Sequence, residues 1–154
     1  MIIFLDTNIL GKLSNPNDHP DAVQCKVWFE RLLARWVYFV SSELCFYELK
    51  RSLILSVKQG NDAEGLNQAN NLRQFIDVLI VDEEVANIAA EIWSTSRLQG
   101  NPTAANNSLD IDIIIAAHWQ LLVNKFPGRY IVVSTTNLKH LRLFTEAEEW
   151  QNIN

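Results

Sequence analysis

The chain begins MIIFLDTNIL (residues 1–10), and its fold turns on how the first six residues are read. Ile2 to Leu5 follow Met1 with no polar alternation, the pattern of a strand buried on both faces of a parallel sheet. Asp6 then falls at the carboxyl end of that strand. In open parallel sheets the ligand crevice lies outside the carboxyl ends of the strands, so a charge placed there stands where chemistry is usually done. Asp6 is equally a good helix cap, with Thr7 and Asn8 finishing the turn. Taken by itself the stretch leaves both readings open.

Outward from this strand, strands and helices alternate. A short helix is expected near residues 8–14, then a turn at SNPNDHP (14–20), rich in chain breakers. In DAVQCKVWFERLLARW (21–36), Ala22, Cys25, Phe29, Leu32, Leu33 and Trp36 recur at helical spacing and define a core face. VYFV (37–40) is the second strand, after which Ser41 or Ser42 caps a helix running to about Val57. A further helix covers 62–76, and VLIV (78–81) is the third strand. The next helix, DEEVANIAAEIWSTSRLQ (82–99), carries acids in its first turn, as the helix dipole favours. GNPTAANN (100–107) is the stretch with the least ordered composition; helix SLDIDIIIAAHWQLLVNKF (108–126) and strand YIVVS (130–134) follow it. The class is therefore α/β with a mostly parallel sheet.

The chain of 154 residues, 48% hydrophobic, suits one domain with a substantial core. No apolar run approaches the roughly 20 residues that cross a bilayer, and the N-terminus lacks a basic leader, so a cytoplasmic protein with no membrane association is expected. Cys25 and Cys45 form no C-x-x-C pair, and His19, His118 and His140 are scattered, which argues against a disulfide framework and a zinc site. A net charge of −5 disfavours generic nucleic-acid binding through a basic surface. It leaves room for an enzyme whose acids recruit a metal ion before meeting a phosphate.

Four carboxylates need explaining. Glu48 interrupts LCFYEL in a helix whose apolar residues run almost all the way round, where an ionised group is expensive unless paired or bound to a metal. An ion pair with Arg51, or exposure at the edge of the face, is the simpler alternative. Glu43, next to a serine cap, is accounted for by the helix dipole. Asp112 sits in the first turns of its helix, ahead of Ile113 to Ile115 and the small Ala116 and Ala117, which let the helix pack closely on the sheet. Asp110 lies about 200° round the same helix if both are helical, so only one of the two faces a common site. Dipole complementarity is the simpler account of either acid. Strand YIVVS leads into STTN, where Thr135 and Asn137 supply neutral oxygens beside Asp6 if the first and last strands are neighbours; turn chemistry would also put them there.

Together, LDTNIL, the Glu of SSELCFYELKRSL, DIIIAA on a helix and STTNLKHL after a late strand resemble the PIN-domain ribonucleases, and within them the VapC-type toxins of bacterial toxin–antitoxin pairs. The resemblance runs from residue 1 to the terminal EEWQNI. It implies a three-layer α/β/α sandwich with an acidic pocket at the strand ends, Mg2+ or Mn2+, and hydrolysis of RNA phosphodiester bonds. Asp6, Glu48 and Asp112 match the three acids of the family, Asn137 falls where a fourth acidic or polar residue is common, and Thr135 matches a frequent hydroxyl. On that footing Asp6 and Asp112 are expected as direct metal ligands, Glu48 as a ligand or water-orienting base, and Thr7, Asn8, Thr135 and Asn137 as hydrogen-bonding supports. Hard divalent cations prefer carboxylate oxygens, lower the pKa of a water and offset charge on a phosphate.

Two departures stand out: Asn137 is neutral, which weakens the case for a firmly held second metal, and "HL" replaces the frequent "HF". His140, in NLKHL, is taken as structural. Lys50, Arg51, Lys58, Lys139 and Arg142 are more simply solvated faces than phosphate guides. Helix 43–57 carries a second apolar strip, Leu44, Tyr47, Ile54 and Leu55, opposite its core strip of Phe46, Leu49, Leu53 and Val57. Burial explains such a helix, as does an antitoxin or homodimer interface. Two rival functions are a PIN-like scaffold that binds RNA or protein without cutting, and a haloacid-dehalogenase-type phosphatase. The latter needs a second Asp where Asn8 stands.

Overall fold

Ile2, Ile3, Phe4 and Leu5 are all buried and form β1 (Ile2–Leu5), the middle strand of the sheet. The computed structural model describes residues 1–100 and 110–154. After β1 come α1 (Thr7–Leu13), α2 (Pro20–Leu33), β2 (Tyr38–Ser42), α3 (Glu43–Lys58), α4 (Glu64–Leu72), β3 (Asp77–Leu79), α5 (Glu83–Leu98), α6 (Ile111–Lys125), β4 (Ile131–Ser134), α7 (Leu138–Leu141), β5 (Ala147–Glu148) and a 3-10 turn at Trp150–Asn152. The strands lie in the order β3-β2-β1-β4-β5, and every pairing is parallel. This is the expected α/β/α architecture, with a sheet parallel throughout rather than mostly so. β1 lies between β2 and β4 in a sheet whose faces are covered by helices, which is why it is apolar on both faces.

Helices α1 to α4 pack on one another, and α5 packs along α6. The main core joins β1, β2 and β4 to Ile9, Leu10, Trp28, Phe29, Leu32 and Phe46, while a second cluster joins Val85 and Ala89 to Ile113, Ile114 and Ala117. Ala116 and Ala117 are buried, as close packing of α6 requires. Cys25 and Cys45 are free, buried thiols. Among the described residues no helix is long and apolar enough to cross a membrane.

Several boundaries differ from expectation. The helix expected over 62–76 is shorter: α4 ends at Leu72, and a turn through Arg73 to Phe75 delivers buried Ile76 to β3, which begins one residue earlier than expected and stops at Leu79. Helix α6 begins at Ile111 with Asp110 as its cap, so the 200° separation of two helical aspartates does not apply. The expected first residues of that helix, 108–109, and most of the stretch at 100–107 lie outside the described residues. On α3, Cys45, Phe46 and Leu49 are buried and Leu53 is half-buried. Of the second strip only Leu44 is covered, packing on the α5/α6 cluster, and Tyr47, Ile54 and Leu55 are exposed.

Candidate functional site

The register of the sheet builds the site. Leu5 of β1 pairs with Ser134 of β4, so the next residues, Asp6 and Thr135, leave the sheet side by side. Asp6 is both a strand-end carboxylate and the cap of α1: its backbone is extended and its Oδ1 accepts the Thr7 N–H at 2.6 Å. Its Oδ2 accepts two more bonds, from Asn8 Nδ2 at 2.7 Å and Thr135 Oγ1 at 2.7 Å. Asp6 therefore stands at the strand end and caps α1 at once.

The network continues through the segment after β4. Asn137 N–H donates to Thr135 Oγ1 at 2.8 Å, and Thr136 N–H donates to Asn8 Oδ1 at 3.2 Å. The Asn137 side chain then reaches α6, donating from Nδ2 to Asp112 Oδ2 at 2.9 Å. His140 Nδ1 lies 3.2 Å from the same oxygen. A single hydrogen-bonded chain thus links Asn8, Asp6, Thr135, Asn137, Asp112 and His140.

Electrostatics mark the two aspartates. Burial pushes the Asp6 carboxyl above its ordinary range and the charge of Asp112 adds to this, while bonds from Thr135, the Thr7 N–H and Asn8 pull it back. Burial likewise raises Asp112, opposed by the bond from His140 and reinforced by the charge of Asp110. Two desolvated carboxylates that feel each other favour a cation between them. Their hard oxygens fit a divalent ion that uses one or two protein carboxylates and keeps most of its waters.

The other expected residues are distributed unevenly. Asn8, Thr135 and Asn137 join the pair as expected, and Thr7 contributes its backbone N–H. Glu48 does not join it: its Oε1 lies 3.5 Å from Arg51 Nη2, and its side chain is 34% exposed. Among the described residues, no three His, Cys, Asp or Glu side chains gather closely enough to hold a metal ion. Asp110 is buried and accepts the Ile113 N–H at 3.4 Å, the capping role. Glu43 does more than meet the helix dipole, since its Oε1 accepts the Val81 N–H at 2.7 Å and ties α3 to the segment after β3. Arg142 is engaged by Glu148 and the Ala147 carbonyl, whereas Lys58 and Lys139 are exposed.

His140, read from the sequence as structural, stands against Asp112 in the fold. Nothing local marks it, because its contact with Asp112 spans 28 positions. Cys45 is no alternative nucleophile, for burial pushes its thiol up to about 12. A separate cleft of 610 Å3, lined by Leu79, Asp82, Val85, His118 and Lys125 among others, includes neither aspartate.

The PIN domain family model matches residues 3–122. No curated protein sequence matches the chain. Among solved structures, VapBC-1 from nontypeable Haemophilus influenzae is 24% identical with a TM-score of 0.65, over 99% of this chain and 100% of that one. VapBC2 from Rickettsia felis, bound to a DNA fragment from its promoter, is 20% identical with a TM-score of 0.67, over 97% and 99%. DNA-bound VapBC from Salmonella typhimurium is 20% identical with a TM-score of 0.65, over 97% and 98%. At these identities the structural likeness speaks for the fold. With the family match spanning most of the sequence and Asp6 and Asp112 on one network at the strand ends, the chain belongs to the PIN-domain family.

Proposed function

We propose that the protein is a metal-dependent endoribonuclease and the toxin of a toxin–antitoxin pair, with Asp6 and Asp112 as direct ligands of Mg2+ or Mn2+. The observation that carries this reading is the chain of hydrogen bonds from Asn8 to His140, which holds two desolvated carboxylates at the carboxyl ends of the strands. A bound divalent ion there supplies Lewis acidity toward water and phosphate. The chain's own residues do the positioning. Asp6 is fixed by Thr7, Asn8 and Thr135, and Asp112 by Asn137 and His140. Glu48, one turn into α3 and partly open to solvent, serves as a third ligand or as the base that orients water once its contact with Arg51 is released. Neutral Asn137 adds no charge, which favours one firmly held ion over two.

The likeness to the VapBC complexes supports a small antitoxin protein as partner, and exposed Tyr47, Ile54 and Leu55 on α3 offer an apolar surface for it or for a second copy of the chain. One observation favours a PIN-like scaffold that binds without cutting: Glu48 stands apart from the two aspartates. The test is incubation of the purified protein with total RNA in Mg2+, Mn2+ or chelator. Cleavage that needs the metal is expected; intact RNA under all three conditions contradicts the nuclease reading. Expression of this chain alone should slow bacterial growth, and co-expression of an adjacent small protein should relieve it. Unimpaired growth at high soluble expression contradicts the toxin role while leaving the nuclease chemistry standing.

A further inference from the structure

We infer that His140 is a positioning residue for Asp112, clamping one carboxylate oxygen through Nδ1 so that the other is presented to the metal; this rests on the metal-dependent reading above. Both hydrogen bonds to Asp112 fall on Oδ2, from Asn137 Nδ2 at 2.9 Å and from His140 Nδ1 at 3.2 Å. An ionised carboxylate oxygen only accepts, so the 3.2 Å contact with Asp112 needs a hydrogen on Nδ1, whereas the 3.5 Å contact from Asn137 Nδ2 needs a bare Nδ1; the shorter contact, to the charged partner, places the hydrogen on Nδ1. Among the described residues no hydrogen bond reaches Oδ1, which leaves that oxygen for an ion.

The clamp has a firm base. Leu141, the residue after His140, is fully buried in the main core, and Arg142 anchors the end of α7 to the Ala147 carbonyl at 3.0 Å and to Glu148 at 2.9 Å. Asp112 lies in the first turn of α6, itself capped by Asp110. The two side chains therefore meet across two anchored elements. Asn137 alone would leave Asp112 with a single donor, and the carboxylate could then turn about its last bond. Two donors converging on one oxygen fix its plane, and supports of this kind typically change metal affinity by about 10–100-fold.

The experiment is calorimetric titration of the metal-free protein with Mn2+, comparing the parent chain with His140→Asn, His140→Gln, His140→Ala and Asp112→Asn. The asparagine amide nitrogen takes the place of Nδ1, whereas glutamine reaches toward that of Nε2. His140→Asn should bind Mn2+ within about threefold of the parent, while His140→Ala and His140→Gln should weaken binding about tenfold or more. Equal affinity for the parent and His140→Ala overturns the inference, as does equal loss in the asparagine and glutamine variants, which would indicate ring packing. If the parent binds no Mn2+, the metal-dependent reading falls and this inference with it; if it binds Mn2+ with the expected variant pattern but cuts no RNA, only the nuclease reading falls. Nitrogen-15 NMR of the parent imidazoles provides a test that needs no variant to fold. A hydrogen on Nδ1 of His140 is expected, and a ring whose Nδ1 carries none overturns the inference.

Discussion

Thr135 Oγ1 donates to Asp6 Oδ2 at 2.7 Å across 129 positions of sequence, and both groups are buried. This bond joins the end of β1 to the end of β4 at the point where the sheet delivers its carboxylate. Thr135→Val keeps the shape and removes the donor, so it should destabilise the fold by about 1–3 kcal/mol at neutral pH, whereas Thr135→Ser should stay near the parent. The bond stabilises the ionised form of Asp6, so the deficit should shrink as pH falls far enough to protonate that carboxyl. Urea denaturation at pH 7 and at progressively lower pH measures this; a Thr135→Val variant as stable as the parent at pH 7 would show that the bond contributes nothing.

Asp112 and Asp110 should respond oppositely to neutralisation. Asp112 has its pKa raised chiefly by burial, so between its unfolded and folded values the native state binds the extra proton, and stability falls as pH rises through that window. Above that window the full penalty of the ionised group is present. Asp112→Asn should therefore raise the melting temperature of the metal-free protein. Asp110→Ala should lower stability by about 1 kcal/mol through loss of the cap on Ile113, although it also removes a charge that raises the Asp112 carboxyl. Melting curves in chelator decide the matter, and a destabilised Asp112→Asn would remove the argument from charge.

His118 should make the protein sensitive to acid. It is buried in α6, its Nε2 lies 3.2 Å from Ser42 Oγ, and burial holds its pKa down at about 4 although Asp82 and Glu43 pull it upward. The Ser42 oxygen already accepts the Leu44 N–H, which leaves its hydroxyl hydrogen to donate to a neutral imidazole. The unfolded state protonates at its ordinary value of 6.5 while the native state stays neutral to about 4, so stability is lost as pH falls through this window, by up to about 3 kcal/mol. The raised carboxyls of Asp6 and Asp112 act in the opposite sense, so the contribution is read as a difference. His118→Gln should flatten the slope of unfolding free energy between pH 6.5 and 4 relative to the parent. An unchanged slope would mean that His118 does not titrate as described.

Much of this was legible in the sequence where local patterns carry the information. An uninterrupted Ile2–Leu5 run reads as buried on both faces, a serine cap stands before the periodic helix α3, and the acid-bearing motifs pointed to the strand ends; Asp82, read as a first-turn acid, is the cap of α5. Short elements were not legible: β5 has two residues, too few for any alternation, and exists because Thr135 N–H and Val133 N–H find carbonyls at Glu148 and Glu146. The start of α6 was misjudged because Asp110 caps a helix whose apolar pattern runs on smoothly through Ile111. Glu43 was set aside because the dipole accounts for any first-turn acid, whereas its bond to Val81 depends on where β3 ends. His140 was read as structural, and its contact with Asp112 was not visible for a similar reason, since the partner is supplied by the fold. Glu48 is the instructive reverse: the expected Arg51 contact is present, and its part in the site rests on the family pattern.

If Asp6 and Asp112 together form the catalytic metal site, Asp112→Asn tests it with least disturbance because Asp112, unlike Asp6, caps no helix. The decisive measurement is the single-turnover rate of RNA cleavage in Mn2+ by the parent and by Asp112→Asn, with melting curves confirming that both are folded. Loss of a direct ligand predicts a rate at least about 100-fold below the parent, together with a metal-free protein that melts no lower. Cleavage by Asp112→Asn at the parent rate would contradict this assignment and place the chemistry elsewhere.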